Sequence, residues 1–187
     1  MADESNDNPL TETEVDIPSV LEVAILPLQN TTLFPDTVVP LAVGRERSMR
    51  GVESALSTEE KLLGCITTKT EGVTGDEAVY DDLYTVGTVV SIKRMMRNEG
   101  VMQLIVQGLE RFRVVEWLGE QPYLKARIEK LPDLERVDDE AIEALKRNIH
   151  SMIQQALALL PQVPPEIRMA VMTQQDPVQL SYFLASV

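Results

Sequence analysis

Apolar residues follow two different spacings along this chain, and the change from one to the other falls near residue 132. Before that point short β-rich runs dominate. LEVAILPL at 21–28 and TVVPLAV at 37–43 read as strands, separated by a turn-prone stretch ending in Phe34-Pro35-Asp36. Pro27 and Pro40 have no amide proton to give to a ladder, so they mark strand ends, bulges or edges. In ERSMRGVESALS at 46–57, Met49, Val52 and Leu56 recur at helical spacing and predict a short helix with one buried face. KLLGCITT at 61–68 is a further strand, and the glycine- and acid-rich stretch 69–82 is a surface loop.

The strongest β signal follows. Residues 83–97 form a long strand, expected to bend or bulge near Gly87, and Asn98-Glu99-Gly100 supplies a hairpin turn with Gly100 suited to a positive φ. The return strand 101–110 puts Met102, Leu104 and Val106 on one face and Gln103, Ile105 and Gln107 on the other. Strands over 111–119 and 122–131 complete the meander. In the last of these Leu124, Ala126 and Ile128 pack, while Lys125, Arg127 and Glu129 are wet.

Beyond 132 the spacing becomes helical. Asp138 is a candidate N-cap for a helix to Leu160, whose apolar stripe runs through Ile142, Leu145, Ile149, Met152, Ile153, Ala156, Leu157 and Leu160. Pro161, Pro164 and Pro165 stop it. Two shorter helical pieces follow, the second opened by the cap and first-turn pair Asp176-Pro177. The apolar ending SYFLASV has no C-capping signal, and the expectation is that a longer polypeptide continues beyond Val187. Residues 1–20 are polar, acidic and marked by Pro9 and Pro18, a flexible leader.

Charge narrows the choice of partner. The net charge is −13, and seven of those negative charges fall in residues 1–22, which contain no Lys or Arg. The remainder is still acidic. That argues against nucleic acid, which needs clustered positive charge, and against anionic membrane surfaces. The start of the chain lacks the basic and apolar segments of a secretory signal, and no apolar stretch nears the ~20 residues that span a bilayer. A soluble, cytoplasmic protein is expected. With Cys65 alone, an intrachain disulfide and a Cys-based zinc site are both out of reach.

Catalytic patterns are missing. None of the glycines sits in a phosphate cradle ending in Lys-Ser or Lys-Thr. His150, the one histidine, lies on the long helix, where it reads as a solvated or interface residue. Asp76, Glu77, Asp81 and Asp82 lack calcium-loop spacing, and no serine occupies a nucleophile turn. Cys65, Phe112 and Trp117 read as core, and Phe34 as packing that fixes its loop. A partner site is sought instead around the 98–100 hairpin. There Met95, Met96 and Met102 offer flexible, polarizable contact, and Lys93, Arg94 and Arg97 offer positive charge to acidic peptide segments.

One extended stretch, ILPLQNTTLFPDTVVPLAVGRERSMRGVESAL at 25–56, resembles the opening of the N-terminal domain of Lon-type ATP-dependent proteases. The matching words are Leu26-Pro27-Leu28, Leu33-Phe34-Pro35, Pro40-Leu41 and Val43-Gly44-Arg45. Tyr84-Thr85-Val86-Gly87-Thr88 and Val106-Gln107-Gly108-Leu109-Glu110-Arg111-Phe112 follow later. The resemblance implies an α+β fold: a PUA-like, partly open β-barrel over 21–131 with one inserted helix, then a small helical subdomain over 132–187. It also implies a non-catalytic module that selects unfolded or degron-bearing proteins and joins the remainder of a hexameric protease. That protease's ATP, magnesium and Ser-Lys dyad would lie outside this segment, so no cofactor or metal is expected here. The alternatives are a stand-alone interaction protein with the same domain and, because PUA-like barrels elsewhere bind RNA, an RNA binder, which the acidic balance opposes.

Overall fold

The structure, a computed structural model, describes residues 19–69, 78–133, 140–159, 165–174 and 176–186. Residues 1–18 of the acidic leader fall outside them, while Val20, the last residue assigned to it, opens the first strand; Asp76 and Glu77, the proposed N-cap Asp138 and the prolines 161 and 164 also fall outside.

The strands are β1 (Val20–Leu28), β2 (Val38–Val43), β3 (Leu62–Thr67), β4 (Val86–Asn98), β5 (Val101–Gly119) and β6 (Lys125–Lys130). Helix α1 (Glu46–Leu56) lies between β2 and β3. The helices α2 (Glu140–Leu159), α3 (Pro165–Thr173) and α4 (Pro177–Ser186) follow the strands. The class is α+β. All six strands belong to one sheet in the order β2-β5-β4-β3-β1-β6. Only β1 and β3 pair parallel, and α1 is the crossover between that side and β2.

The two strands expected over 101–110 and 111–119 are one 19-residue strand. Its first half pairs with β2 and with the end of β4, and its second half with the start of β4 and with β6. Irregularities let it bend that far. Register shifts fall at Val89/Val90 and Ile92/Arg94 opposite it in β4, and at Val114/Glu116 and Trp117/Gly119 against β6. The bulges thus lie beyond Gly87, where one was expected. Because β6 also pairs with β1, the sheet rolls through β5 onto itself, with β2 as an extra strand, and does not make a clean barrel.

Alternate residues of β1 enter two packed layers: Ala24, Leu26 and Leu28 join Val52, Leu63 and Leu104, while Val23 and Ile25 join Phe112, Leu124 and Ile128. Burial of both faces explains why β1 reads as a continuous apolar run. Cys65 is a core filler, and burial pushes its thiol up to about 12, so it is an inert thiol. Phe112 is fully buried, whereas Trp117 is half-buried and stacks on Tyr80 with ring centroids 4.5 Å apart. Outside the core, Glu22 accepts hydrogen bonds from Lys125 and Arg127, which hold its carboxyl below the usual range.

The apolar stripe of α2 is helical as expected, but Ile142, Leu145, Ile149, Met152 and Leu159 are exposed, and no described residue of that helix is buried. His150 Nδ1 faces the Lys146 carbonyl at 2.9 Å, one turn back on the same helix. No helix among the described residues is long and apolar enough to cross a membrane.

Gly108 fixes the loop before β2. Its carbonyl accepts from Asp36 N–H (3.1 Å) and its N–H donates to the Thr37 carbonyl (2.8 Å). A Cβ at this position would lie 2.2 Å from the Phe34 carbonyl oxygen. Gly108→Ala therefore forces backbone apart and should cost about 1–3 kcal/mol, read as a lowered urea midpoint. Gly119→Ala, where the nearest atom would be 3.9 Å away, should be close to neutral.

Candidate functional site

The hairpin between β4 and β5 runs on past the end of β3. β3 stops pairing with β4 at Leu62↔Ser91, and the last backbone bond on that side runs from Ile92 N–H to the Lys61 carbonyl (3.1 Å). From Lys93 to Asn98 every residue of β4 is exposed, and β5 is its only strand partner among the described residues. Glu99 and Gly100 both have positive φ (48° and 83°), as a two-residue hairpin loop of the primed type requires. On the far side of β5 lies β2, paired as far as Val43↔Met102, so the arm is three strands wide almost to its tip.

Register separates the residues expected to meet a partner. Directly opposed residues share a face. Met96 opposes Gln103, which opposes Ala42, and Arg94 opposes Ile105, which opposes Pro40. Those six residues make the outer face, where Met96 is 56% and Ile105 36% exposed. Met95 and Arg97 oppose Leu104 and Met102 on the other face, at the margin of α1. There Arg97 Nη1 lies 3.3 Å from Glu53 Oε1, so its charge is already matched. Lys93 has no partner in the register, being the extra residue of a bulge.

Met102 departs from the expectation. It is 1% exposed, packed with Leu104 and Val106 in the core. Alternation through β5 places it inward, so it has no surface to offer a partner. Ile105, on the opposite face, was passed over as a contact, although the same alternation carries the signal for it.

A second assembly involves the end of the chain. Asp176 caps α4, its Oδ1 accepting from Val178 N–H at 2.8 Å. One turn into the helix Leu180 is buried. Tyr182 stacks on Phe34 with centroids 5.7 Å apart, its hydroxyl donates to Asp133, and the Arg111 guanidinium lies 6.0 Å from its ring. Gln179 Nε2 reaches Asp36 Oδ2 at 3.3 Å. Helix α4 is thereby tied to the loop that Gly108 holds. Burial, and then the bond to Asp133, push the Tyr182 phenol from 10 up to about 12. Neither assembly groups a nucleophile with a base. Among the described residues no cluster of three or more His, Cys, Asp or Glu could hold a metal.

A model of the family described as ATP-dependent protease La (LON) substrate-binding domain matches residues 22–187. A Lon protease of Dictyoglomus thermophilum is 41% identical over 91% of this chain and 21% of its own length. A Lon protease of Anaeromyxobacter dehalogenans is 37% identical over 95% of this chain and likewise 21% of its own. The chain thus spans about a fifth of the length of these curated relatives. The N-terminal domain of a Mycobacterium avium complex Lon protease shares the fold, with a TM-score of 0.64 at 22% identity over 86% of this chain and 80% of that one. A Lon N-terminal domain protein from Xanthomonas campestris is similar at a TM-score of 0.51 and 20% identity, over 88% of this chain and 96% of that one.

A raised phenol pKa means the docked helix favours neutral Tyr182. Its contribution is complete below pH 10 and is lost as pH rises through about 12. Hydrogen exchange of the α4 amides should therefore accelerate across that window ahead of the β-strands. Tyr182→Phe keeps the stacking and loses the bond, and should loosen α4 by about 1 kcal/mol at neutral pH while removing the alkaline step.

Proposed function

Because the chain belongs to the family of Lon protease substrate-binding domains, we propose that it recognises unfolded or degron-bearing polypeptides for an ATP-dependent serine protease. In this reading catalysis lies elsewhere in that protease, with its ATP, magnesium and Ser-Lys dyad, and this segment binds no cofactor. The division into an acidic leader over 1–20, a PUA-like β unit over 21–131 and a helical extension over 132–187 belongs to the proposal. So do assembly with the rest of a homo-hexameric protease and a cytoplasmic location.

The observation that carries the reading is the projecting arm. An unfolded segment offers apolar side chains and unpaired backbone, and a receptor for it needs adaptable apolar surface beside an open strand edge. The arm has both: Met96 and Ile105 lie exposed on its outer face, and the β4 edge beyond Ile92 is open. Lys93 and Arg94 stand beside them with no acidic partner among the described residues, and would attract acidic segments. Met95 adds a smaller exposed patch at the margin of α1. Contact over so small an area gives transient binding, with Kd in the micromolar range or weaker.

Met96→Glu combined with Ile105→Glu should weaken binding of permanently unfolded, carboxymethylated casein by at least about fivefold, the loss of one well-buried apolar contact. Fluorescence anisotropy reads the affinity, and the melting temperature should hold because neither side chain supports the core. Met102→Glu should instead unfold the domain. Undiminished casein affinity in the double variant would remove the arm from the site.

A further inference from the structure

The rolled sheet has an opening in its wall. β6 pairs with β1 over Val20–Ala24, and Ile25 N–H still reaches the Leu124 carbonyl (2.8 Å), but Leu26–Leu28 have a strand partner only on the β3 side. β2 pairs only with β5. Between the free edges of β1 and β2 is a cleft of about 250 Å³. Leu26 and Leu28 wall it on one side and Leu41 and Val43 on the other, with Arg45 and Ser48 at the start of α1 among its lining.

The backbone of this opening is unusual. Ile25 N–H points toward β6, and the Leu28 carbonyl points toward β3, where it accepts from Thr68 N–H at 2.9 Å. Alternation along the strand turns the backbone of Pro27 the same way as that of Ile25, into the opening. On β2 the Thr37 carbonyl faces β5, so Val38, Pro40 and Ala42 turn outward. Each edge thus has a proline where an outward N–H would otherwise stand. That blunts both edges against a through-running strand.

Donors instead gather at α1. Arg45 is its N-cap residue and makes no side-chain capping bond, which leaves the first-turn amides without an intrahelical acceptor. Ser48 is 8% exposed, lines the cleft, and has no hydrogen-bond partner among the described residues. Arg45 is the one charged residue lining the cleft, and it too has no ion-pair partner among the described residues. In a chain with a net charge of −13, a cleft lined by no acid and by an unmatched arginine has the local charge that favours an anion.

We propose that this cleft binds the C-terminal end of a polypeptide, with the last apolar side chain between β1 and β2 and the free carboxylate on Arg45, Ser48 and the amides of the first turn of α1. The blunted edges exclude a strand that continues through, and the volume suits a chain end. The inference rests on the reading of the chain as polypeptide-binding, and adds to it a site apart from the arm.

The test is fluorescence anisotropy on the 187-residue chain with a labelled Ser/Gly peptide ending in Ala-Leu, as free acid and as C-terminal amide. The free acid should bind about tenfold tighter, the worth of a charge-assisted hydrogen bond. Arg45→Gln and Ser48→Ala should each narrow that ratio with the melting temperature held, and Met96→Glu should leave it unchanged. A ratio of one in the unsubstituted chain overturns the proposal, and so does a ratio untouched by both cleft substitutions. Equal binding of an amidated peptide with an internal Asp also overturns it. Retained casein binding alongside a ratio of one discards the cleft alone and leaves the broader reading standing. Absence of casein binding with the ratio intact discards the arm as a site and leaves the cleft standing.

Discussion

β5 is the member on which the rest of the β unit hangs. One strand of 19 residues serves β2, β4 and β6, and no other strand touches so many neighbours. A regular strand of that length could not meet β2 at one end and β6 at the other, because its twist would carry the two edges apart. The register shifts take up the difference, each adding a residue on one side and bending the pair. Phe112 sits where the two halves of β5 meet and fills the layer beneath Val23, Ile25 and Ile128. The opening between β1 and β2 is a consequence, since β6 covers only the second half of β5 and β2 only the first.

Much of this was legible in the chain. Alternation in 101–107 separated the two faces of β5, though Met102 was assigned to a partner and not to the core, and the proline-edge rule placed Pro27 and Pro40 where the structure has them. The Asp176-Pro177 pair announced the start of α4, and Glu99-Gly100 the hairpin. These are local signals, set by a few neighbouring residues. What failed depended on distant ones. The bulges are decided by how three partners must be reached: Gly87 pointed to the one at Val89/Val90, close by, and nothing in the sequence near Ile92 reveals the other in β4. The continuity of β5 through 110–111 was hidden because the charged pair Glu110-Arg111 interrupts the apolar alternation, yet Glu110 accepts from Lys130 (3.0 Å) and Arg111 engages Asp133. Tyr182 on Phe34 joins residues far apart in sequence, for which a single chain has no cue.

The proposed contact surface was half legible for the same reason. Methionine clusters by composition, and composition does not distinguish the faces of a strand. Met95, Met96 and Met102 lie near one another in the hairpin but occupy three situations: the margin of α1, the open outer face, and the core. Register decides which is available, and register follows from the turn at Glu99-Gly100 and from the bulge at Lys93. Shifting the pairing by one residue would bring Met102 outward and bury Gln103, a substitution the core could not accept.

Separation of support from contact is what lets such a surface be adaptable. Exposed apolar groups invite association, and a free strand edge invites it further. The chain leaves the arm open in this way but places a proline, Pro27 or Pro40, on each edge of the other gap, which takes one outward amide from each. The two openings therefore differ in chemistry as well as position. The arm offers flexible side chains beside intact backbone, which suits an extended segment of any sequence. The cleft offers proline-interrupted edges and unmatched donors at the start of α1, which suits the end of a chain. The arm draws on no side chain that fills the core and can vary with little cost to the sheet, whereas the cleft is walled by the core residues Leu26, Leu28 and Val43 and can vary mainly at Arg45.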